Sequence, residues 1–165
     1  MIILGIDPGY AIVGYGVIEY LNGKFRVLDY GAITTPAHTS PESRLATIFD
    51  DMNTLIDKHK PDCMAIEELF FNSNQKTAIL VAEARGVIML SAYKKGVIIH
   101  EYTPLQVKQA VVGYGRAEKK QVQAMITTIL GLQKVPKPDD TADALALAIC
   151  EAHTGQSMLK TFYNL

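Results

Sequence analysis

The chain has 165 residues, 48% hydrophobic and 20% charged, with a net charge of −1. That composition belongs to one globular domain with a substantial core and excludes a disordered or fibrous chain. No apolar run approaches the roughly 18 residues of a membrane span, and the first residues lack the basic flank and cleavage site of a secretory signal, so a soluble cytoplasmic protein without membrane contact is expected. Cys63 and Cys150 lie far apart in apolar segments with no CxxC spacing; both read as buried thiols.

Residues 1–8 form an apolar run ending in Asp7-Pro8-Gly9, which predicts a strand that stops at a turn with a carboxylate at its end. Tyr10–Tyr20 is rich in β-branched residues, Asn22-Gly23 signals a hairpin, and Lys24–Thr34 alternates, so the first three strands form an antiparallel meander. Ser40-Pro41-Glu42 opens a helix that ends before Pro61. Cys63–Ile66 is a short buried strand followed by Glu67 and Glu68, and helix returns over about 74–94.

This second helix is apolar on several sides, and Ala78, Ala82 and Gly86 recur every four residues. Close approach of a partner helix and burial under a long loop both fit. Val97–Glu101 is a fifth strand, Thr103-Pro104 starts a helix to about Val112, and a break at 113–116 precedes a helix from Ala117 to Leu130. Asp139 or Asp140 then caps a last helix over Thr141–Ala152, and the tail from about 155 is expected to be loosely ordered. The expected fold is a single α/β domain over 1–165, a five-stranded mixed sheet flanked by helices.

Charge is unevenly spread: residues 94–137 hold eight Lys and Arg against two Asp and Glu, with Tyr102 and Tyr114 among them. This fits a phosphate-contacting surface or, equally, a solvated helical face. Asp7, Glu67 and the pair Asp140 and Asp143 stand at the ends of apolar elements. Sites in α/β sheets form beyond strand ends, and the i, i+3 spacing puts Asp140 and Asp143 on one helix face, where their repulsion calls for a cation or a proton. Oxygen-only ligands suit Mg²⁺ or Mn²⁺. Singly, each acid also reads as a cap, a turn residue or an exposed side chain.

The ordered blocks Ile3-Leu4-Gly5-Ile6-Asp7-Pro8-Gly9, Gly14-Tyr15-Gly16, Ala65-Ile66-Glu67, Ala84-Arg85-Gly86, Gln106-Val107-Lys108-Gln109, Val111-Val112-Gly113, Ala117-Glu118-Lys119 and Ala142-Asp143-Ala144-Leu145-Ala146 resemble the RuvC family of bacterial Holliday-junction resolving endonucleases, within the ribonuclease-H-like superfamily. The resemblance implies a ribonuclease-H-like fold and makes Asp7, Glu67, Asp140 and Asp143 catalytic acids binding two Mg²⁺ ions, replaceable by Mn²⁺, with Asp7 the expected bridge. It places Phe70 where bases stack at the opened junction, Lys108 and Lys119 near the scissile phosphates, and Asn74 near the DNA. Arg116 and Lys120 have no family match and are added as DNA contacts from the basic segment. A homodimer acting on four-way junction DNA with the RuvA and RuvB branch-migration proteins is implied as well. Three alternatives stay open: an RNA-processing nuclease on the same metal centre, a non-catalytic nucleic-acid-binding module, and an ATP-binding kinase-like fragment, to which Gly5–Tyr10 is also similar but which needs a second lobe.

Overall fold

The structure, a computed structural model, describes residues 1–69 and 75–163. Among these residues five strands, β1 (Ile2–Asp7), β2 (Ile12–Leu21), β3 (Lys24–Thr34), β4 (Cys63–Glu67) and β5 (Ile98–Tyr102), form one sheet in the order β3-β2-β1-β4-β5. β1, β2 and β3 are the antiparallel meander, joined at Asn22-Gly23, where both residues take positive φ of 51° and 76° as a tight hairpin requires. β4 and β5 run parallel to β1. The mixed five-stranded sheet is the one expected.

Among the described residues, five helices cover the two faces: α1 (Pro41–His59), α2 (Gln75–Lys94), α3 (Pro104–Val112), α4 (Lys119–Ile129) and α5 (Asp139–Tyr163). β1 is central and buried on both faces, which is why its sequence is a continuous apolar run instead of an alternation. Ile3 joins a core with α3, α4 and α5, whereas Leu4 and Ile6 join a second core with Ile48 and Met52 of α1 and Ala84 and Ile88 of α2. Odd-numbered residues of β1 therefore face α5, and Asp7 is one of them.

Two helix starts differ from expectation. α4 begins at Lys119 instead of Ala117, because Ala117 is buried in the preceding turn and the backbone N–H of Glu118 is satisfied by Gln121 Oε1 at 2.8 Å. α5 begins at Asp139, so Asp140 lies in the first turn, where the helix dipole favours an acid, and is no cap. α5 continues past Ala152, no proline being there to stop it, and Gly155 is helical.

Nearly every residue from Ala142 to Ala152 is buried, all round the helix. α5 lies between the sheet on one side and α3 and α4 on the other, which an alanine-rich sequence allows. Its backbone presses directly on the sheet: a Cβ at Gly5 would lie 2.0 Å from the Ala144 carbonyl oxygen, and one at Gly14 would lie 2.0 Å from that of Asp140. Thr141, fully buried, fixes the same end by donating its hydroxyl to the Gly31 carbonyl at 3.0 Å.

The Gly14→Ala variant should therefore be destabilised by about 1–3 kcal/mol, the usual cost of overpacking. Urea unfolding followed by circular dichroism measures it, and an unchanged midpoint would contradict the contact.

Candidate active site

Parallel pairing of Ile6 with Ile66 brings the C-terminal ends of β1 and β4 side by side. Asp7 and Glu67 follow directly and point to the same face as Ile3 and Ala65, towards α5. Seating α5 on the glycines then adds the acids of its first two turns. Asp7, Glu67 and Asp143 line one cleft of about 240 Å³ with Pro104, Val107 and Lys108 of α3 and Lys119 of α4. Asp140 adjoins this group without lining the cleft, close enough for its charge to act on Asp7.

Of the basic residues, Lys108 and Lys119 reach the cleft. Arg116 and Lys120 do not line it; both are exposed on the approach to α4. Lys119 and Lys120 occupy the first helical positions of α4, the end at which the dipole disfavours cations. Lys119 is offset by acids: its Nζ lies 2.9 Å from Asp143 Oδ2 and 3.6 Å from Asp139 Oδ2. Burial pulls its pKa down, but these bonds hold the ammonium above its ordinary value. Phe70 and Asn74 lie outside the described residues.

The electrostatics are those of a site short of positive charge. Burial, reinforced by Glu67, Asp143 and Asp140, pushes the Asp7 carboxyl up to about 8, with Lys119 pulling the other way. Burial and Asp143 raise Glu67 above the usual carboxylate range, again opposed by Lys119. Three carboxylates lining the cleft and Asp140 beside it, with oxygen donors only, fit hard divalent cations such as Mg²⁺ or Mn²⁺.

Two supports of this site escape sequence reasoning. Arg85 of α2 donates Nε–H to the Glu67 carbonyl at 3.2 Å and pairs with Glu101 of β5, fixing the backbone from which Glu67 projects. Asp139 bonds Lys137 at 2.6 Å as well as Lys119, steadying the lysine that reaches the acids. Arg85 stands in one of the resembling blocks and Asp139 among the candidate caps, but neither supporting role carries a local signal, because Arg85–Glu67 and Asp139–Lys119 act across elements distant in sequence.

The sequence model of the family described as crossover junction endodeoxyribonuclease RuvC matches residues 3–151. The chain is 63% identical over 155 residues to the protein of that name from Alkaliphilus oremlandii, covering 94% of each. It is 59% identical over 165 residues to that from Clostridioides difficile, covering 100% of this chain and 97% of the other. Among solved structures, T. thermophilus RuvC in complex with Holliday junction substrate superposes with a TM-score of 0.92 at 34% identity over 96% of both chains.

The raised carboxyl of Asp7 has a consequence for stability. Between its unfolded pKa near 4 and its folded value of about 8, the metal-free native state holds a proton that the unfolded chain has released, so stability falls as pH rises through that window. In chelator, Asp7→Asn should be more stable than the parent at pH 8, by on the order of 2 kcal/mol, and the difference should vanish near pH 4. Urea unfolding at the two pH values reads this out; a difference that does not change with pH would contradict it.

Proposed function

Because the chain belongs to the RuvC family of crossover junction endodeoxyribonucleases, we propose that this cleft resolves four-way DNA junctions by paired, symmetric, metal-dependent phosphodiester hydrolysis. Asp7, Glu67, Asp140 and Asp143 are its catalytic acids, and residues 1–165 form one nuclease domain. The observation that carries this reading is the convergence of Asp7, Glu67 and Asp143 with Lys108 and Lys119 on a single cleft. Two Mg²⁺ ions held by the four acids, or Mn²⁺ in their place, would supply an activated water for in-line attack and stabilise the leaving 3′-oxygen.

The chain's own residues do the rest. Asp7, between Glu67 and the acids of α5, is the carboxylate shared by both halves of the site. Its neighbours keep it short of positive charge and so primed to hold cations. Lys119 and Lys108 hold the phosphate that is cut and offset charge at phosphorus. Arg116 and Lys120 extend the basic surface along the DNA, and Phe70 and Asn74 contact the opened junction, as the family resemblance implies. Catalysis needs the acids whereas affinity comes from the lysines and aromatics, so the two are separable.

A homodimer places two such sites on strands of like polarity. The support is on α2, where Ile79, Leu90 and Tyr93 are 57%, 50% and 78% exposed and fall, with exposed Gly86, on one stripe at helical spacing. The buried face of the same helix is Ala84, Ile88 and Ala92. Ala78 and Ala82 are half-buried, so this stripe, not the run of small residues alone, is the surface for a partner. No described helix is long and apolar enough to cross a membrane. The protein acts on DNA in the cytoplasm, with RuvA and RuvB as its partners.

With Mg²⁺, the protein should introduce paired symmetric nicks into a labelled four-way junction and leave a linear duplex arm, single-stranded DNA and RNA uncut. Asp7→Asn should bind the junction like the parent while cleavage falls by about 10³-fold or more. Cleavage of RNA instead would move the substrate while keeping the metal site, and equal loss of binding and cleavage would overturn the division of labour. Sedimentation of the parent should give the dimer mass and Leu90→Glu the monomer mass at micromolar concentration; a monomeric parent would remove α2 as the interface.

A further inference from the structure

Midway along α5, two turns beyond the catalytic acids, a second group of ligating side chains comes together. Among the described residues, Cys63, His100 and Glu151 offer one ligand atom each, sulfur, nitrogen and oxygen, all within 4.8 Å of one another. They come from β4, β5 and α5. Pairing of Ala65 with His100 puts Cys63 and His100 on the sheet face that α5 covers.

Glu151 is 1% exposed, and its carboxylate has no Lys or Arg partner among the described residues. Instead His100 Nδ1 lies 2.8 Å from Glu151 Oε2, and the Tyr102 hydroxyl donates to the same oxygen at 2.6 Å. Thr154 in turn donates to the Tyr102 oxygen at 3.0 Å. The carboxylate is thus oriented by a tyrosine behind it, as ligating carboxylates commonly are. The buried carboxylate gathers an imidazole nitrogen and a tyrosine hydroxyl on one oxygen, beside the Cys63 sulfur.

We propose that Cys63, His100 and Glu151 form a binding site for a thiophilic divalent cation, Zn²⁺, distinct from the oxygen-lined active site. Zinc accepts thiolate, imidazole and carboxylate at about 2.0–2.3 Å. Tetrahedral ligands around it are therefore roughly 3.5 Å apart, so the His100–Glu151 pair, now hydrogen-bonded at 2.8 Å, opens by about half an ångström to admit the ion, and the Cys63 sulfur stays within 4.8 Å of both. The His100 side chain is 40% exposed, giving the ion a way in and leaving room for a water as fourth ligand. Bound there, zinc clamps α5 to β4 and β5. Glu151 follows Asp143 by eight residues, about 12 Å along the helix, so the clamp is structural and takes no part in hydrolysis.

Cobalt substitution tests this with a signal of its own. The chelator-stripped protein, with Mg²⁺ in excess to occupy the carboxylate site, should bind one Co²⁺ per chain and develop the near-ultraviolet thiolate-to-cobalt band of a tetrahedral site. Zn²⁺ should bleach the band and raise the melting temperature by several degrees. Cys63→Ser should abolish the band and weaken zinc binding at least tenfold, and His100→Asn should weaken it too, whereas Cys150→Ser and Asp7→Asn should keep both. No thiolate band in the parent overturns the proposal whether or not any variant folds, and so does a band that survives Cys63→Ser but is lost in Cys150→Ser.

Discussion

Direct backbone contact between α5 and the glycines of β1 and β2 is the constraint on which the rest of the molecule depends. Any side chain at Gly5 or Gly14 would hold the helix away from the sheet. Helix and sheet normally pack through interdigitated side chains at a distance that would leave Asp140 and Asp143 well above the strand ends. Here the glycines and the alanines of α5 remove that layer, and the carboxylates descend to the level of Asp7 and Glu67. A structural economy in the core thus sets the geometry of the chemistry.

The same closeness creates the electrostatic tension of the site. Acids on two parallel strand ends and one helix share a partly desolvated cleft, and the fold answers their repulsion only in part, with Lys119. Lys108 lines the same cleft from α3, but Lys119 alone lowers the Asp7 and Glu67 carboxyls, and both stay raised. Supports such as Arg85 at the Glu67 carbonyl and Thr141 at the Gly31 carbonyl hold the groups in place against that repulsion.

Much of this was legible in the sequence, for local reasons. Asp7 announces itself because an apolar run stops at Asp-Pro-Gly, and Glu67 because a short buried strand ends in acid. Asp140 and Asp143 are marked by their spacing. The sheet followed from continuous runs in its inner strands and alternation at β3. What remained illegible was carried by contacts between distant segments. Nothing near Arg85 says that it grips a strand sixteen or more residues away, and Glu151 looks like any polar residue in an alanine-rich helix until α5 is laid over β5. α2 defeated periodicity for a different reason: a helix apolar both towards its own core and along an outer stripe has no single apolar face to read.

The order of the acids along the chain has one more implication. Asp7 comes from the first strand, Glu67 from the fourth and Asp143 from the fifth and last helix, so the cleft closes through contacts of long sequence separation, among the slowest to form. During synthesis a nascent chain that has completed its meander and even its parallel strands still lacks half of the acids. On the function proposed above, the cleft would become competent only with the final helix, and a copy truncated before α5 would lack Asp140 and Asp143.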